Sequence, residues 1–235
     1  MEILSLNQIS PDQVILWQWG IIKITATLLY TWFIMGILII GSWLVTRNIS
    51  SEVRTSRWQG LLEVVVSTIR NQIKEISPEN PGHYLAFIGT LFLFVGLSNL
   101  LLIVPGYVAP TSSLTTTAAL AICVFIAVPL YGITKQGIKG YFKEYFQPTF
   151  IFFPFHVMGE ATRTLALAVR LFGNMMSHDK VIAILLAVTP LFFPIIMHAL
   201  GLLIGLVQAY IFAILAMVYI ASAAQAHEDK GDKGA

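Results

Sequence analysis

Residues 165–179 read LALAVRLFGNMMSHD, and they lie within a segment, residues 149–226, that is almost continuously apolar. This segment is long enough for two membrane-spanning helices, because one span needs about 20 mostly apolar residues. Pro190 and Pro194 provide the natural break between the two. A guanidinium is among the most costly groups to bury in a bilayer. Arg170 therefore requires a structural or functional reason.

The composition is that of an integral membrane protein. Of the 235 residues, 57% are apolar and 11% are charged, and the mean hydropathy is +0.78. A net charge of +2 is too small to indicate a nucleic-acid partner. A single cysteine, Cys123, excludes an internal disulfide and a multi-cysteine metal site. No basic residue precedes Lys23, so the positive region of a cleaved signal peptide is missing, and the first apolar segment is expected to remain as a helix.

The apolar segments predict an all-α integral membrane protein with about five spanning helices and one amphipathic surface helix, in a single membrane domain. The surface helix combines basic residues with apolar residues at helical spacing, namely Leu61, Leu62, Val65, Ile69 and Ile73. The last two spans are long, so they are expected to be tilted. The predicted segments are an external N-terminus at 1–19, span one at 20–45, the amphipathic cytoplasmic-side helix at 50–76, span two at 84–104, span three at 114–133, span four at 149–188, span five at 195–226 and a cytoplasmic tail at 227–235.

The distribution of lysine and arginine predicts the orientation. These residues collect in the loops 46–83 and 134–147 and in the C-terminal tail, whereas the connection 105–113 has none. The positive-inside rule places the basic loops and the C-terminus on the cytoplasmic side and the N-terminus outside, which an odd number of crossings satisfies. No internal repeat is evident, so the inverted-repeat plan of secondary transporters has no support in the sequence.

Polar side chains line one face of the fourth predicted span and form what we call the stripe. At 100° per residue they fall within a sector about 80° wide. Such alignment inside an apolar helix indicates a seam that faces water or protein. The six residues are His156, Glu160, Arg163, Arg170, Asn174 and His178.

Two interpretations of this stripe stay open. In the structural one, Glu160 and Arg163 form an i,i+3 ion pair, and Arg170 snorkels or pairs with a buried carboxylate. In the functional one, Arg170 is a fixed positive charge in an ion path, a role that suits arginine because it does not deprotonate. Asp179 lies on a different face and Glu160 is about 15 Å away along the helix. The compensating carboxylate is therefore expected on a partner subunit.

The fifth predicted span carries small residues at four-residue spacing. Gly201, Gly205, Ala209 and Ala213 form a ladder that permits close approach of another helix. Gln208 lies at the edge of this ladder. Its amide is either an interhelical hydrogen-bonding group or a second polar group that faces the ion path.

Several pieces of the sequence together resemble subunit a of the F-type rotary ATP synthases, the stator subunit that carries ions past the ring of c subunits. The most specific are RLFGN, which begins at Arg170, and QAYIF, which begins at Gln208. The resemblance covers most of the chain. The basic amphipathic segment after span one also follows the family's order, as do LSNLLLIVPGY at 97–107, SSLTTTAALAICVFIA at 112–127 and KGYFKEYFQP at 139–148.

The resemblance implies a role for each residue that matches the family's motifs. Arg170 matches the essential arginine, which faces the ion-binding carboxylate of subunit c and keeps two half-channels from short-circuiting. Asn174 and Gln208 match the polar residues beside this arginine. Asp179 occupies the position of an acidic group in one half-channel.

Four further positions carry family variation. Arg163 matches a basic position that is usually lysine, and Glu160 matches an acidic position seen in plastid-like members. Ser113 stands where the family commonly has an aspartate, and His156 stands at another acidic position, departures that favour a divergent subfamily. Serine is neither an acid nor a base near neutral pH, whereas its hydroxyl can ligate a cation. The hydroxyl-rich segment 112–117 therefore leaves both H⁺ and Na⁺ open as the coupling ion.

The resemblance implies a non-catalytic subunit of an ion-transporting two-sector ATPase, without a cofactor, a metal site or catalytic residues of its own. The sequence has no GxxxxGK[ST] loop for phosphoryl transfer. The implied partners are the ring of c subunits, against which the last two spans would tilt, b-type peripheral-stalk subunits, the F1 sector indirectly and the lipid bilayer. The expected location is an energy-transducing membrane, either a bacterial inner membrane or a thylakoid. Two other classes stay open: a stand-alone secondary transporter with Arg170 as its anion site, and a non-conducting membrane assembly protein.

Overall fold

The computed structural model describes residues 15–19, 22–47, 57–78, 81–104, 106–145, 153–188 and 193–225. This part of the chain contains a short antiparallel hairpin, six α-helices and two 3₁₀ turns, at Leu101–Ile103 and Pro110–Ser112. The strands and helices, in chain order, are β1 Ile15–Trp19, β2 Ile22–Thr25, α1 Ala26–Thr46, α2 Arg57–Ile76, α3 Pro81–Leu100, α4 Leu114–Tyr145, α5 Phe153–Val188 and α6 Phe193–Gln225.

All the helices except α2 are long and apolar enough to cross a membrane, which gives five candidate spans. The predicted helical membrane fold is thereby confirmed. Helices α5 and α6 contain 36 and 33 residues, or about 54 and 50 Å at 1.5 Å per residue. Both exceed the roughly 30 Å thickness of a bilayer's hydrocarbon core, so they stay within it only if they tilt. Residues 189–192, at the predicted break between them, lie outside the described residues.

Helix α1 begins at Ala26, later than the predicted start of span one at residue 20. The side-chain oxygen of Thr25 accepts a hydrogen bond from the backbone N–H of Leu28 at 3.4 Å and so caps the helix. The preceding residues form β2, in which three of the four side chains are β-branched and favour extended backbone. Residues 1–14 and 20–21 of the predicted N-terminus and first span lie outside the described residues.

Helix α2 is amphipathic, and its apolar face packs against protein. Ile69 and Ile73 are buried, with Ile73 fully so, where α2 meets α3 and α6. Arg70 and Lys74 on the other face are exposed. The predicted surface helix therefore rests on the helical bundle, and residues 50–56 of its predicted range lie outside the described residues.

Helix α4 continues past the predicted end of span three at residue 133, but it changes direction on the way. Gly137 has φ 75° and ψ 161°, a backbone conformation that is not helical. Positive φ favours glycine because a Cβ would clash there. The apolar span ends at Lys135, two residues before this kink. The basic part of the helix that follows the kink is a separate segment.

The core lies where α3 and α6 pack closely. Gly96 of α3 meets Ala209 of α6, with 3.7 Å between the Cβ of Ala209 and the position of a Cβ at Gly96. A Cβ at Gly205 would lie 2.7 Å from the Cβ of Asn99. Two members of the predicted ladder on the last span, Gly205 and Ala209, thus lie against α3.

Candidate functional site

Arg170 lies near the middle of α5, at the border between the packed and the exposed face of that helix. Its neighbours Leu167, Ala168 and Leu171 are buried in the core, whereas Arg170 itself is exposed. Within the described residues, the guanidinium makes no hydrogen bond or ion pair. The position allows the charged group to reach a molecule outside the chain while its helix stays packed.

Asn174, one turn after Arg170, is joined to the last helix by a direct hydrogen bond. The Nδ2 of Asn174 donates to the Oε1 of Gln208 at 2.7 Å. Gln208 is only 3% exposed, and its Nε2 has no hydrogen-bond partner among the described residues. Gln208 therefore hydrogen-bonds between two helices, which is one of the two roles predicted for it from the sequence. Its amide nitrogen can still donate a hydrogen bond beside the polar face of α5.

Asp179 lies toward the C-terminal end of α5, beside the 3₁₀ turn that precedes α4. Its carboxyl group is within hydrogen-bond reach of the Ser112 hydroxyl. That hydroxyl also donates to the backbone oxygen of Ala109 at 2.7 Å. Since a hydroxyl has one hydrogen, a protonated Asp179 can donate to the Ser112 oxygen, whereas an ionised Asp179 competes with Ala109 for the Ser112 proton.

A buried polar network continues from this turn into the bundle. The Oγ1 of Thr111 donates to the Oδ1 of Asn99 at 2.7 Å, and the Nδ2 of Asn99 donates to the backbone oxygen of Gly205 at 2.9 Å. Ser113 is fully buried, with its hydroxyl 2.9 Å from that of Thr115. The buried polar side chains of this region, which we call the turn cluster, are Ser98, Asn99, Thr111, Ser112, Ser113 and Thr117.

The loop before this turn is tied to the end of α3. The hydroxyl of Tyr107 donates to the backbone oxygen of Ser98 at 3.1 Å, and the Tyr107 ring meets the Tyr30 ring of α1 edge to face at 5.0 Å between centroids. Burial raises the pKa of Tyr107 well above its usual range. Its phenol thus remains a neutral donor that fixes the loop.

His178 precedes Asp179 and is turned toward the last helix. Its imidazole occupies the space over Gly201, where a Cβ would collide with the ring. The Nε2 of His178 is buried and has no partner among the described residues. The ring of His198 lies 6.2 Å away between centroids. The two imidazoles thus lie close to each other, and His178 directly precedes Asp179, whose carboxyl group contacts Ser112.

The other end of the stripe lines a separate cavity of about 370 Å³ between α4, α5 and α6. His156, Glu160 and Arg163 contribute to its wall together with Tyr219. The guanidinium of Arg163 lies over the Tyr219 ring at 5.7 Å from its centroid, a cation–π contact. The ion pair between Glu160 and Arg163 stays a prediction. We call this space the stripe cavity.

Arg170 lies between these two polar regions along α5. Arg163 precedes it by seven residues, or about 10 Å, and Asp179 follows it by nine residues, or about 14 Å. Both separations are too long for one hydrogen bond to bridge. The described part of the chain thus has a polar region near each end of α5, with an exposed guanidinium between them.

Some members of these regions were not singled out from the sequence as site residues. Asn99 interrupts an apolar span, so an amide within a membrane segment was already a visible signal. His198 is an ionisable residue in an apolar span and was likewise a visible signal, whereas Tyr219 carried none, because a single tyrosine in an apolar helix is ordinary. Their contacts depend on how α6 lies against α5.

The chain matches the protein family described as ATP synthase A chain over residues 28–221. It is similar to a protein of Acaryochloris marina described as ATP synthase subunit a 2, with 58% identity over 92% of this chain and 93% of the relative. A protein of Albidiferax ferrireducens described as ATP synthase subunit a is 55% identical over 97% of this chain and 98% of its own length. For a Chlorobaculum parvum protein described as ATP synthase subunit a 1, the identity is 55% over 94% and 97% of the two chains.

Proposed function

Because the chain belongs to the ATP synthase A chain family, we propose that it is the ion-translocating stator subunit of the F0 sector of a rotary F-type ATP synthase. It provides two half-channels, and Arg170 couples the flow of H⁺ or Na⁺ through them to rotation of a ring of c subunits. The chain is a multi-pass membrane component of the complex and not a catalyst by itself. The observation that carries the proposal is the exposed Arg170 between two separate polar regions.

The two polar regions serve as half-channels that open to opposite sides of the membrane. The turn cluster adjoins the loop between α3 and α4, which has no basic residue, and so belongs to the external side. The stripe cavity adjoins the start of α5, directly after the basic loop 134–147, and so belongs to the cytoplasmic side. The C-terminus is cytoplasmic and the N-terminus external.

In the direction of ATP synthesis, the external half-channel delivers an ion to a carboxylate of the c ring. Asp179, Ser112 and His178 supply the acid, hydroxyl and imidazole groups along this route. The neutralised carboxyl group then enters lipid as the ring turns, because burying a neutral group costs far less than burying a charge.

Arg170 acts on the carboxyl group that returns from lipid. Its positive charge favours the ionised carboxylate, so the ion is released to the cytoplasmic half-channel through the stripe cavity. His156, Glu160 and Arg163 lie along this exit. Since arginine stays protonated at every relevant pH, it attracts the carboxylate without becoming a carrier between the half-channels. The membrane potential contributes about 2.3 kcal/mol per charge for each 100 mV.

The partners follow from this mechanism. A ring of c subunits faces the exposed border of α5, b-type peripheral-stalk subunits hold the chain still, and the F1 sector is reached indirectly. The complex lies in an energy-transducing membrane, either a bacterial inner membrane or a thylakoid. A stand-alone transporter would work without these partners, and a non-conducting assembly protein would not need Arg170 for transport.

The test is ATP synthesis driven by an imposed potential in vesicles that contain the purified complex with Arg170→Ala. We expect synthesis to be abolished while the complex still assembles. Arg47→Ala is the matched control, because this exposed arginine stacks on Trp43 at 5.0 Å, away from the site. Unchanged synthesis in the Arg170 variant would contradict the proposal, and loss of assembly would favour the packing role.

A further inference from the structure

Helix α6 makes polar side-chain contacts with helices on two sides. Gln208 accepts the hydrogen bond from Asn174 of α5. Tyr210, two residues later, donates its hydroxyl to the Oε1 of Gln72 on α2 at 2.8 Å. Two residues correspond to a turn of about 200° around a helix, so the side chains of Gln208 and Tyr210 leave α6 on nearly opposite sides.

The pairing of Tyr210 with Gln72 lies at the exposed edge of a mostly apolar wall, since Tyr210 is 44% exposed. Both residues line a cavity of about 150 Å³ between α2, α3 and α6, whose other lining residues are apolar apart from Thr68. The hydroxyl of Thr68 already donates to the backbone oxygen of Val64 at 2.8 Å. Gln72 is therefore the polar partner that this wall offers to the Tyr210 hydroxyl.

The rotation of α6 about its own axis determines whether Gln208 can reach Asn174. A side-chain tip lies about 5–6 Å from the helix axis, so a rotation of about 20° displaces it by about 2 Å. A displacement of that size breaks a hydrogen bond of 2.7 Å. The Asn174–Gln208 bond thus depends on a rotation that the Gln72–Tyr210 bond, on the opposite side, can fix.

We propose that Gln72 and Tyr210 are positioning residues through which the amphipathic helix α2 sets the rotation of α6 and so holds the Gln208 amide beside Asn174 and Arg170. The inference rests on the proposed function, since its consequence is measured in ion coupling. Helix α2 thereby acts on the ion path through α6, without contacting the path itself.

The experiment measures potential-driven ATP synthesis per assembled complex in vesicles. Tyr210→Phe removes the donor and Gln72→Met removes the acceptor at similar side-chain length. Each is expected to lower the rate about threefold, the factor that corresponds to a typical interhelical hydrogen bond in a membrane protein. Gln72→Glu keeps an acceptor oxygen and is expected to retain the wild-type rate. The double variant Gln72→Met/Tyr210→Phe is expected to match the single variants.

A second comparison separates positioning from a general packing effect. In a Gln208→Ala background, Tyr210→Phe is expected to cause no further loss, because the amide that it positions is already gone. Thr68→Val is the matched control: this hydroxyl lines the same cavity, but it donates to the backbone oxygen of Val64 in its own helix at 2.8 Å and links no second element. It is expected to leave the rate unchanged.

Wild-type rates in both Tyr210→Phe and Gln72→Met would overturn the inference, as would an undiminished threefold loss in the Gln208→Ala background. If Tyr210→Phe prevented assembly, the comparison of Gln72→Met with Gln72→Glu would decide, and equal rates would overturn the inference. Arg170→Ala in the same vesicles keeps the two proposals apart. Synthesis that survives in that variant contradicts the proposed function, whereas synthesis lost there but unchanged in Tyr210→Phe contradicts only the positioning role.

Discussion

Arg170 lies at the border of α5, where its charge can be compensated by another molecule. Its side chain is exposed beside a helix face that is buried, so the guanidinium is not forced into the core. Asn174 and Gln208 place amide groups one turn away. A carboxylate brought by another subunit can therefore meet a charge and hydrogen-bonding groups together, which makes the pairing stronger than a charge alone would.

Asp179 is predicted to be the titratable group of the external half-channel. Asp179→Asn keeps the shape of the side chain but removes the group that releases and accepts an ion. We expect ATP synthesis to fall about a hundredfold, the usual range for loss of a proton-transfer group. Ser112→Ala should cause a smaller loss, because Asp179 remains. Equal rates for wild type and Asp179→Asn in the vesicle assay would contradict this assignment.

The absence of a side chain at Gly201 is predicted to make room for His178. Gly201→Ala places a methyl group where the imidazole lies, and overpacking of this kind costs about 1–3 kcal/mol. We expect a lower thermal stability of the purified complex and restoration by His178→Ala in the same chain. Gly89→Ala is the control, since nothing lies within 4 Å of a Cβ there. A Gly201 variant as stable as the control would show that the imidazole does not need this space.

At the scale of elements, the turn cluster joins α3, the 3₁₀ turn and α6 through one amide. Asn99 hydrogen-bonds both Thr111 and the backbone of Gly205. Its replacement leaves the buried Thr111 hydroxyl without its acceptor, which costs about 1–3 kcal/mol. It also removes a second hydrogen bond, to the Gly205 carbonyl, which keeps its donor within the helix.

Asn99→Leu is therefore predicted to destabilise the complex more than Thr111→Val does. The first variant breaks two hydrogen bonds and the second breaks one. Thermal unfolding of the purified complex, followed by helical circular dichroism, measures the difference. A Thr111 variant that unfolds at the lower temperature would show that the bond to α6 is the less important of the two.

The helices themselves were predictable because apolar length and charge distribution are properties of single segments. The ends of the helices were harder to predict. Helix α1 starts at Ala26 because Thr25 caps it after a hairpin, but apolar residues continue before Thr25, so hydropathy alone predicts an earlier start. The stripe on α5 was visible because its members share one helix face. Contacts such as Asp179 with Ser112 or His178 with Gly201 join segments far apart in sequence, and no pattern within one segment encodes them.

At the scale of the whole molecule, the two polar regions differ in chemistry. The turn cluster is rich in hydroxyl and amide groups. The stripe cavity contains a carboxylate, a guanidinium and an imidazole. We propose that this difference affects which ion the turn cluster conducts.

Hydroxyl and carbonyl oxygens suit Na⁺ as well as H⁺ transfer, so the ion is decided by measurement. If Na⁺ is carried, ATP hydrolysis by the complex should rise with added NaCl, and Ser113→Ala should raise the concentration needed for half of this effect. If H⁺ is carried, ATP hydrolysis by the wild type and by the Ser113→Ala variant should not change with NaCl at constant ionic strength. A response to NaCl that is identical in wild type and Ser113→Ala would exclude Ser113 from the ion path.

The central claim is that Arg170 separates two half-channels that would otherwise be continuous through the c-ring site. The most direct measurement is the passive, potential-driven ion leak of vesicles that contain the complex, recorded without nucleotide for wild type, Arg170→Lys and Arg170→Ala. The account predicts a tight wild type, a tight or nearly tight Arg170→Lys and a clear leak through Arg170→Ala, because only the last lacks the fixed charge. An Arg170→Ala complex that assembles and stays as tight as the wild type would contradict it.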